Sequence, residues 1–176
     1  HRDLHSFPTR RSSDLRGGNN RVLKFSPDGE LLLQLGGGIE SISRESGRFN
    51  DPHDLKMDSQ GRLFVADRGN NRIQIFSQDG ELLDIWTQFG RPSGIWIDAN
   101  DTIYVADGMS GAQWNRGWQR GIRIGDASTG WITEFIPDYE VPTGSGIEFL
   151  AADADGNIFA GQVGRQRFEK YVRVRP

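Results

Sequence analysis

Two side chains carry most of the reactive chemistry in this sequence. His53 follows Pro52 and is the only histidine beyond the first fifteen residues. An imidazole can ligate a metal or move a proton near neutral pH. Pro52-His53 can equally do no more than shape a turn. Arg68 can grip a carboxylate through two parallel N–H bonds. It can equally bridge to Asp67 or Asp107 as a structural pair between neighbouring elements. A third group, Trp114 and Trp118 with Arg116 and Arg120, falls within DGMSGAQWNRGWQRG (107–121). Such rings and guanidinium groups can stack on a ligand, or simply pack the loop onto its own rim.

The elements that position these residues show as a repeat. GNNRIQIFSQDGELLDIW (69–86) matches GNNRVLKFSPDGELLLQL (18–35). GRLFVADRG (61–69) matches DTIYVADGM (101–109) and GNIFAGQVG (156–164). The two VAD triplets stand 40 residues apart. Within the cleanest unit, four alternating strands are expected at about 54–58, 62–66, 72–77 and 81–86. The turns between them hold Asp-Ser-Gln-Gly and Gln-Asp-Gly. Four strands per unit of this length is the pattern of a propeller blade. The fold expected is all-β: a partial, open six-bladed β-propeller of which about three blades are present. Its blade segments are 16–35, 51–86, 91–137 and 146–176. The first holds the last two strands of a blade and the last holds the first three. Ile73, Ile75, Phe76, Phe64, Val65, Ile85 and Trp86 are expected in the blade core.

Topology then sorts the loops. In an up-and-down blade, the loops between blades and those joining second and third strands share one face. Those are the long ones: 35–53, 107–121 and 137–146. The other face has only short turns. Binding residues concentrate in loops held by a rigid scaffold, so the site is expected on the long-loop face near the central channel. His53 and Arg68 both fall there.

The first fifteen residues stand apart. His1-Arg2-Asp3 echoes the catalytic loop of protein kinases, but the metal-holding Asn five residues on is replaced by Pro8, and no glycine-rich loop follows. Back-translated in frame, residues 1–15 resemble a sequencing-adapter oligonucleotide, and they are set aside as an adapter-like scar. The chain is then expected to be a gene fragment that lacks its N-terminal blades. An open arc exposes unpaired strand edges, so residues 16–176 alone are expected to fold poorly. Setting the scar aside removes three arginines and two aspartates from 21 basic and 24 acidic residues and leaves a net charge of −4. That balance offers no electrostatic case for nucleic acid. The sequence has no cysteine, hence no disulfide or thiolate metal site. No apolar run reaches the roughly 20 residues of a membrane span.

VADRGNNRIQIF resembles the NHL repeat of six-bladed propellers. RFNDPHDLKMDSQGRLFVADRGNNRIQIF, QFGRPSGI and RGIRIGDASTGWITEFIPD together resemble the peptidyl-α-hydroxyglycine α-amidating lyases and their bacterial relatives. The resemblance covers most of residues 18–176. It implies a secreted or periplasmic enzyme that cleaves the C–N bond of a carbinolamide, giving a peptide amide and glyoxylate. It implies zinc held at the centre of the ring by histidines at the starts of inner strands, with structural calcium elsewhere. Pro52-His53 matches one such ligand position, and Arg68 matches an active-site arginine. The last blade departs from the pattern: Gly146-Ile147-Glu148-Phe149 stands where Pro-His-Asp is usual. Glu148 thus replaces a zinc histidine, as a possible ligand or as a hydrogen-bonding channel residue. The family's tyrosine falls near Leu15, Arg16 and Gly17.

Two rivals share the same fold. A non-catalytic NHL propeller would bind a protein, peptide or glycan on the long-loop face, with Trp114 and Trp118 as contacts and His53 as a turn residue. A calcium-dependent, lactonase-like propeller would need several Asp, Glu and Asn side chains converging on the channel, where only Glu148 is placed.

Overall fold

A computed structural model describes residues 19–37, 44–139 and 144–174. Thirteen strands form four antiparallel sheets. The first sheet pairs β1 (Arg21–Phe25) with β2 (Leu31–Gly36). The second runs β3 (Pro52–Met57), β4 (Leu63–Asp67), β5 (Arg72–Phe76) and β6 (Leu82–Trp86). The third runs β7 (Gly94–Ile97), β8 (Thr102–Asp107), β9 (Gly121–Asp126) and β10 (Ile132–Pro137). The fourth runs β11 (Ile147–Ala152), β12 (Ile158–Gln162) and β13 (Arg167–Tyr171). These sheets are the expected blades, with two, four, four and three strands, and they form an open arc. The adapter-like residues 1–15 and the tyrosine position near 15–17 lie outside the described residues.

Each hairpin turn is built by one side chain, and the choice repeats. Between first and second strands the builder is aspartate. Asp58 Oδ1 accepts from the N–H of Gln60 and Arg62 at 3.0 and 2.8 Å. Asp98 does the same for Asn100 and Thr102, and Asp153 for Asn157 and Asp155. Between third and fourth strands it is serine in the first two sheets, where Ser26 Oγ accepts from Glu30 N–H and Ser77 Oγ from Glu81 N–H, and aspartate in the third, where Asp126 Oδ1 accepts from the N–H of Ser128 and Thr129. A short polar side chain that mimics a turn's own hydrogen bond fixes loop length, and loop length fixes strand register.

The core lies between the sheets. Along β4, Leu63 and Val65 face the first sheet with Val22, Phe49 and Phe76, while Phe64 and Ala66 face the third with Ile95, Ile103 and Val105. Along β8 the same alternation sends Ile103 and Val105 one way and Tyr104 and Ala106 the other, onto Ile147 and Ile158. A middle strand buried on both faces reads as a continuous apolar run, as LFVA and IYVA do. Ile85, expected in the core, is only half-buried. It sits on β6, the fourth strand of its blade, where one face meets solvent.

The inner strands converge. β7 packs against both β3 and β11. Gly94 permits the approach, since a Cβ there would stand 2.8 Å from the carbonyl oxygen of Glu148. A buried aspartate closes the long-loop end of each complete blade. Asp67, the last residue of β4, accepts from Asn50 N–H, Asn70 Nδ2, Arg72 Nε and Gln74 Nε2. Asp107, the last of β8, accepts from Arg91 N–H, Ser110 N–H and Oγ, and Arg123 Nη1. Burial pushes the Asp67 carboxyl up, and the hydrogen bonds from Asn50, Asn70 and Arg72 pull it back. The fourth sheet solves the same problem with exchanged residues. Gln162 takes the aspartate's place on β12, and the carboxylate moves to Glu169 on β13, which pairs with Gln162, Arg167 and Tyr171.

Asp107→Ala leaves Arg123 buried without its counter-charge and should cost about 3–5 kcal/mol of unfolding free energy in a urea titration. Glu134→Ala, which removes an exposed partner of Arg173 at 3.5 Å, should cost under about 1 kcal/mol.

Candidate functional site

The site lies where the inner strands meet on the long-loop face. His53 is the second residue of β3, and Glu148 is the second of β11. The imidazole is held from behind. Its Nδ1 stands 2.8 Å from the carbonyl oxygen of Ser93, at the entrance to β7. A carbonyl only accepts, so Nδ1 carries a proton and Nε2 is turned toward Glu148. Nε2 stands 3.5 Å from Glu148 Oε2, with both side chains buried. Phe149 stacks beside the imidazole with ring centroids 6.2 Å apart. A proton or a metal cation between Nε2 and the carboxylate would be favoured in this setting.

Arg68 binds the same carboxylate. It begins a single 3-10 turn, Arg68–Asn70, that follows β4. Its Nη1 donates to Glu148 Oε2 at 3.1 Å, while Nε and Nη2 donate to Asp51 Oδ2 at 2.9 and 2.7 Å. Arg68 is 7% exposed and Glu148 5%. Arg68 therefore does join separate blades, but through Asp51 and Glu148. Its expected structural partners are already engaged, Asp67 by Arg72 and Asp107 by Arg123. Asp51 is fixed by a left-handed backbone with φ of 56° and by its N–H to Asn20 Oδ1. Asp54 belongs to the frame as well: its Oδ2 accepts from Ile95 N–H at 2.9 Å and docks β7 on β3. Burial pushes the Asp54 carboxyl up, against the pull of the Ile95 and Leu55 N–H groups and of His53 and Lys56.

Three residues missed at the sequence level complete the frame. Asp51 holds Arg68, Ser93 orients His53, and Arg91 links the centre to the outer loop. Arg91 Nη1 donates to the backbone oxygen of Arg68 at 3.0 Å and to Asn71 Oδ1 at 3.1 Å, and its guanidinium lies 5.0 Å from the Trp114 ring centroid. Burial, then repulsion from Arg68, lowers the Arg91 guanidinium. The signal for these residues was present in the NDPH and GRPSG strings that precede inner strands. Spacing alone gives such a loop residue no direction.

The Trp loop presents both of its rings partly to solvent. Trp114 and Trp118 are 43% and 38% exposed. The cations beneath them are Arg91 and Arg123, each about 5.0 Å from a ring. Arg116 and Arg120 instead bind loop carbonyls: Arg116 that of Ala112, and Arg120 those of Gly108 and Gly144. No group of three or more His, Asp or Glu side chains suited to a metal converges among the described residues. His53 and Glu148 still form a usable pair of donors. Their 3.5 Å separation is close to the roughly 3.4 Å between two N/O ligands of one tetrahedral zinc.

With that geometry in view, similarity to known proteins can be weighed. The NHL repeat matches residues 49–76. Peptidyl-glycine alpha-amidating monooxygenase B of Xenopus laevis is 32% identical over 158 residues, which are 81% of this chain and 17% of that protein. NHL repeat-containing protein 3 of Homo sapiens is 46% identical over 71 residues, 40% of this chain and 19% of that protein. The WD40 β-propeller domain of Doa1 superposes with a TM-score of 0.57 at 15% identity, over 90% of this chain and 49% of that one. The chain thus spans about half of the solved propeller and under a fifth of either relative. It is an arc of β-propeller blades carrying an NHL repeat. In sequence it is similar to the peptidylglycine α-amidating monooxygenases. No helix among the described residues is long and apolar enough to cross a membrane.

Arg68→Met leaves the buried Glu148 carboxylate without its cation, and should lower stability by about 3–5 kcal/mol. A double-mutant cycle with Glu148→Gln should return a coupling of about 1–3 kcal/mol. A coupling near zero would mean that the pair does not hold the blades together.

Proposed function

We propose that this propeller belongs to an amidating-lyase-like enzyme that cleaves the C–N bond of a peptidyl-α-hydroxyglycine. The observation that carries the reading is the buried His53–Glu148 pair, a ring nitrogen and a carboxylate oxygen 3.5 Å apart, presented by the inner strands β3 and β11 on either side of β7. His53 and Glu148 would hold a zinc ion from this part of the ring. Bound there, zinc would supply a Lewis acid for a substrate oxygen. Calcium, implied by the same resemblance, would be structural.

The chain's own residues prepare the site. Ser93 fixes the imidazole tautomer, so that Nε2 is presented without a rearrangement. Arg68 holds Glu148 in one rotamer and offsets its charge in a low-dielectric setting. Three of its five N–H groups are engaged by Asp51 and Glu148. The remaining two can meet the carboxylate that a hydroxyglycine carries at its end. The reaction moves one proton from the α-hydroxyl to the amide nitrogen as the C–N bond breaks and the aldehyde carbonyl forms. Burial of the cluster keeps bulk water from that exchange.

One observation favours the second reading, a non-catalytic propeller that binds a peptide on the long-loop face. Arg68 is already paired within the protein, as a structural latch would be. Metal analysis of the full-length protein separates the two. Under the enzymatic reading, zinc co-purifies in stoichiometric amount, His53→Ala loses it, and chelation abolishes release of glyoxylate from an N-acyl-α-hydroxyglycine. Unchanged metal content in His53→Ala would mean that His53 is not a ligand.

A further inference from the structure

We propose that Trp114 and Trp118 form an aromatic subsite for the acyl side of the substrate, so that the enzyme selects peptides with a planar or bulky apolar residue before the α-hydroxyglycine. This rests on the lyase reading above. In that reaction one product is glyoxylate, which extends no further than its carboxylate. Any selectivity between substrates must therefore come from contacts on the amide side of the bond that breaks.

The structure builds a platform for those contacts. Each indole rests on a buried guanidinium, Trp114 on Arg91 and Trp118 on Arg123, at 5.0 Å. Asp107 fixes both residues, accepting from the backbone N–H of Arg91 at 3.0 Å and from Arg123 Nη1 at 3.2 Å, while the Arg91 guanidinium donates to the Arg68 carbonyl and Asn71 Oδ1. The loop between the rings is pinned to the same point. Ser110 Oγ donates to Asp107 at 2.6 Å, Asn115 Nδ2 donates to Ser110 Oγ at 3.0 Å, and the Gly111 N–H donates to the Trp114 carbonyl. A surface tryptophan kept only to cover a core would turn its ring inward. Here each ring has a cation against it and remains more than a third exposed. A ring already ordered loses little entropy when a ligand stacks on it. Its outer surface favours aromatic or apolar groups.

The platform also touches the centre. Arg91 joins the Trp114 ring to the backbone of Arg68, whose guanidinium holds Glu148. In this proposal the hydroxyglycine lies against Arg68 and the acyl portion extends over Arg91 to Trp114.

The test compares N-benzoyl- and N-acetyl-α-hydroxyglycine as substrates of the full-length protein in its metal-loaded form, reading kcat/KM from glyoxylate release. The wild-type protein should prefer the benzoyl substrate by roughly tenfold or more. Trp114→Ala should bring the ratio toward one, and Trp114→Phe should keep most of it. Loss of fold or metal would lower both rates together and leave their ratio unmoved. A wild-type ratio near one, or a ratio unchanged in Trp114→Ala, overturns the subsite while the lyase reading stands. Turnover of neither substrate overturns both.

Discussion

A carboxylate without water must have donors on every side, and this chain uses that need to fasten its loops. Asp67 and Asp107 end the second strand of their blades and are fully buried. Each gathers a backbone N–H from the loop entering its blade and side-chain donors from the loop or strand that follows. Charged acceptors form stronger hydrogen bonds than neutral ones, and removing a partner from a buried charge is costly. The described ends of the loops that enter and follow these two strands are therefore fixed where they leave the sheets. Both the approach of Asn50, Asp51 and Pro52 to His53 and the seat of the Trp114 loop follow from these two carboxylates.

The centre inherits that order. His53, Arg68 and Glu148 come from two blades and reach each other only because β7 draws β3 and β11 against its two sides. Gly94 sets how closely the last pair can approach. The geometry of the His53–Glu148 pair is thus a property of the arc and not of either strand. An isolated blade would hold each residue without its counterpart. The same dependence explains why Arg68 carries two carboxylates: the cation that balances Glu148 is supplied by a neighbour two blades away in the chain.

Much of the fold was legible because its period is simple. VAD recurring at fixed spacing, Asp or Ser at each short turn and doubly buried middle strands all leave local marks. In the cleanest unit the third strand starts at Arg72 as expected, and the other three starts differ by one or two residues. The inner strand of the second blade begins at Pro52, where the bulge between Pro52 and Leu55 breaks the alternation that spacing relies on. His53, Arg68 and Glu148 were individually identifiable, and the structure brings them together. Their connections were not legible. Asp51 and Ser93 act through a carboxylate and a backbone carbonyl whose aim depends on a left-handed residue and on contact between blades. The cations against the tryptophans were not legible either, because Arg91 and Arg123 lie outside the loop that carries the rings they meet in space.

The exchange in the fourth sheet bears on how such rings diverge. There the negative charge has crossed from the second strand to the third, from the position of Asp67 to that of Glu169, while an amide crossed the other way, from Gln74 to Gln162. Each half of that trade changes the partner that the other half needs, since one intermediate sets two carboxylates on the hairpin and the other none. The heritable unit of this architecture is consequently the hairpin and not the strand. Recombination that divides a blade between its second and third strands would join mismatched halves. Breakpoints between blades, or at the outer turn before the fourth strand, would leave every buried charge with the partner it arrived with.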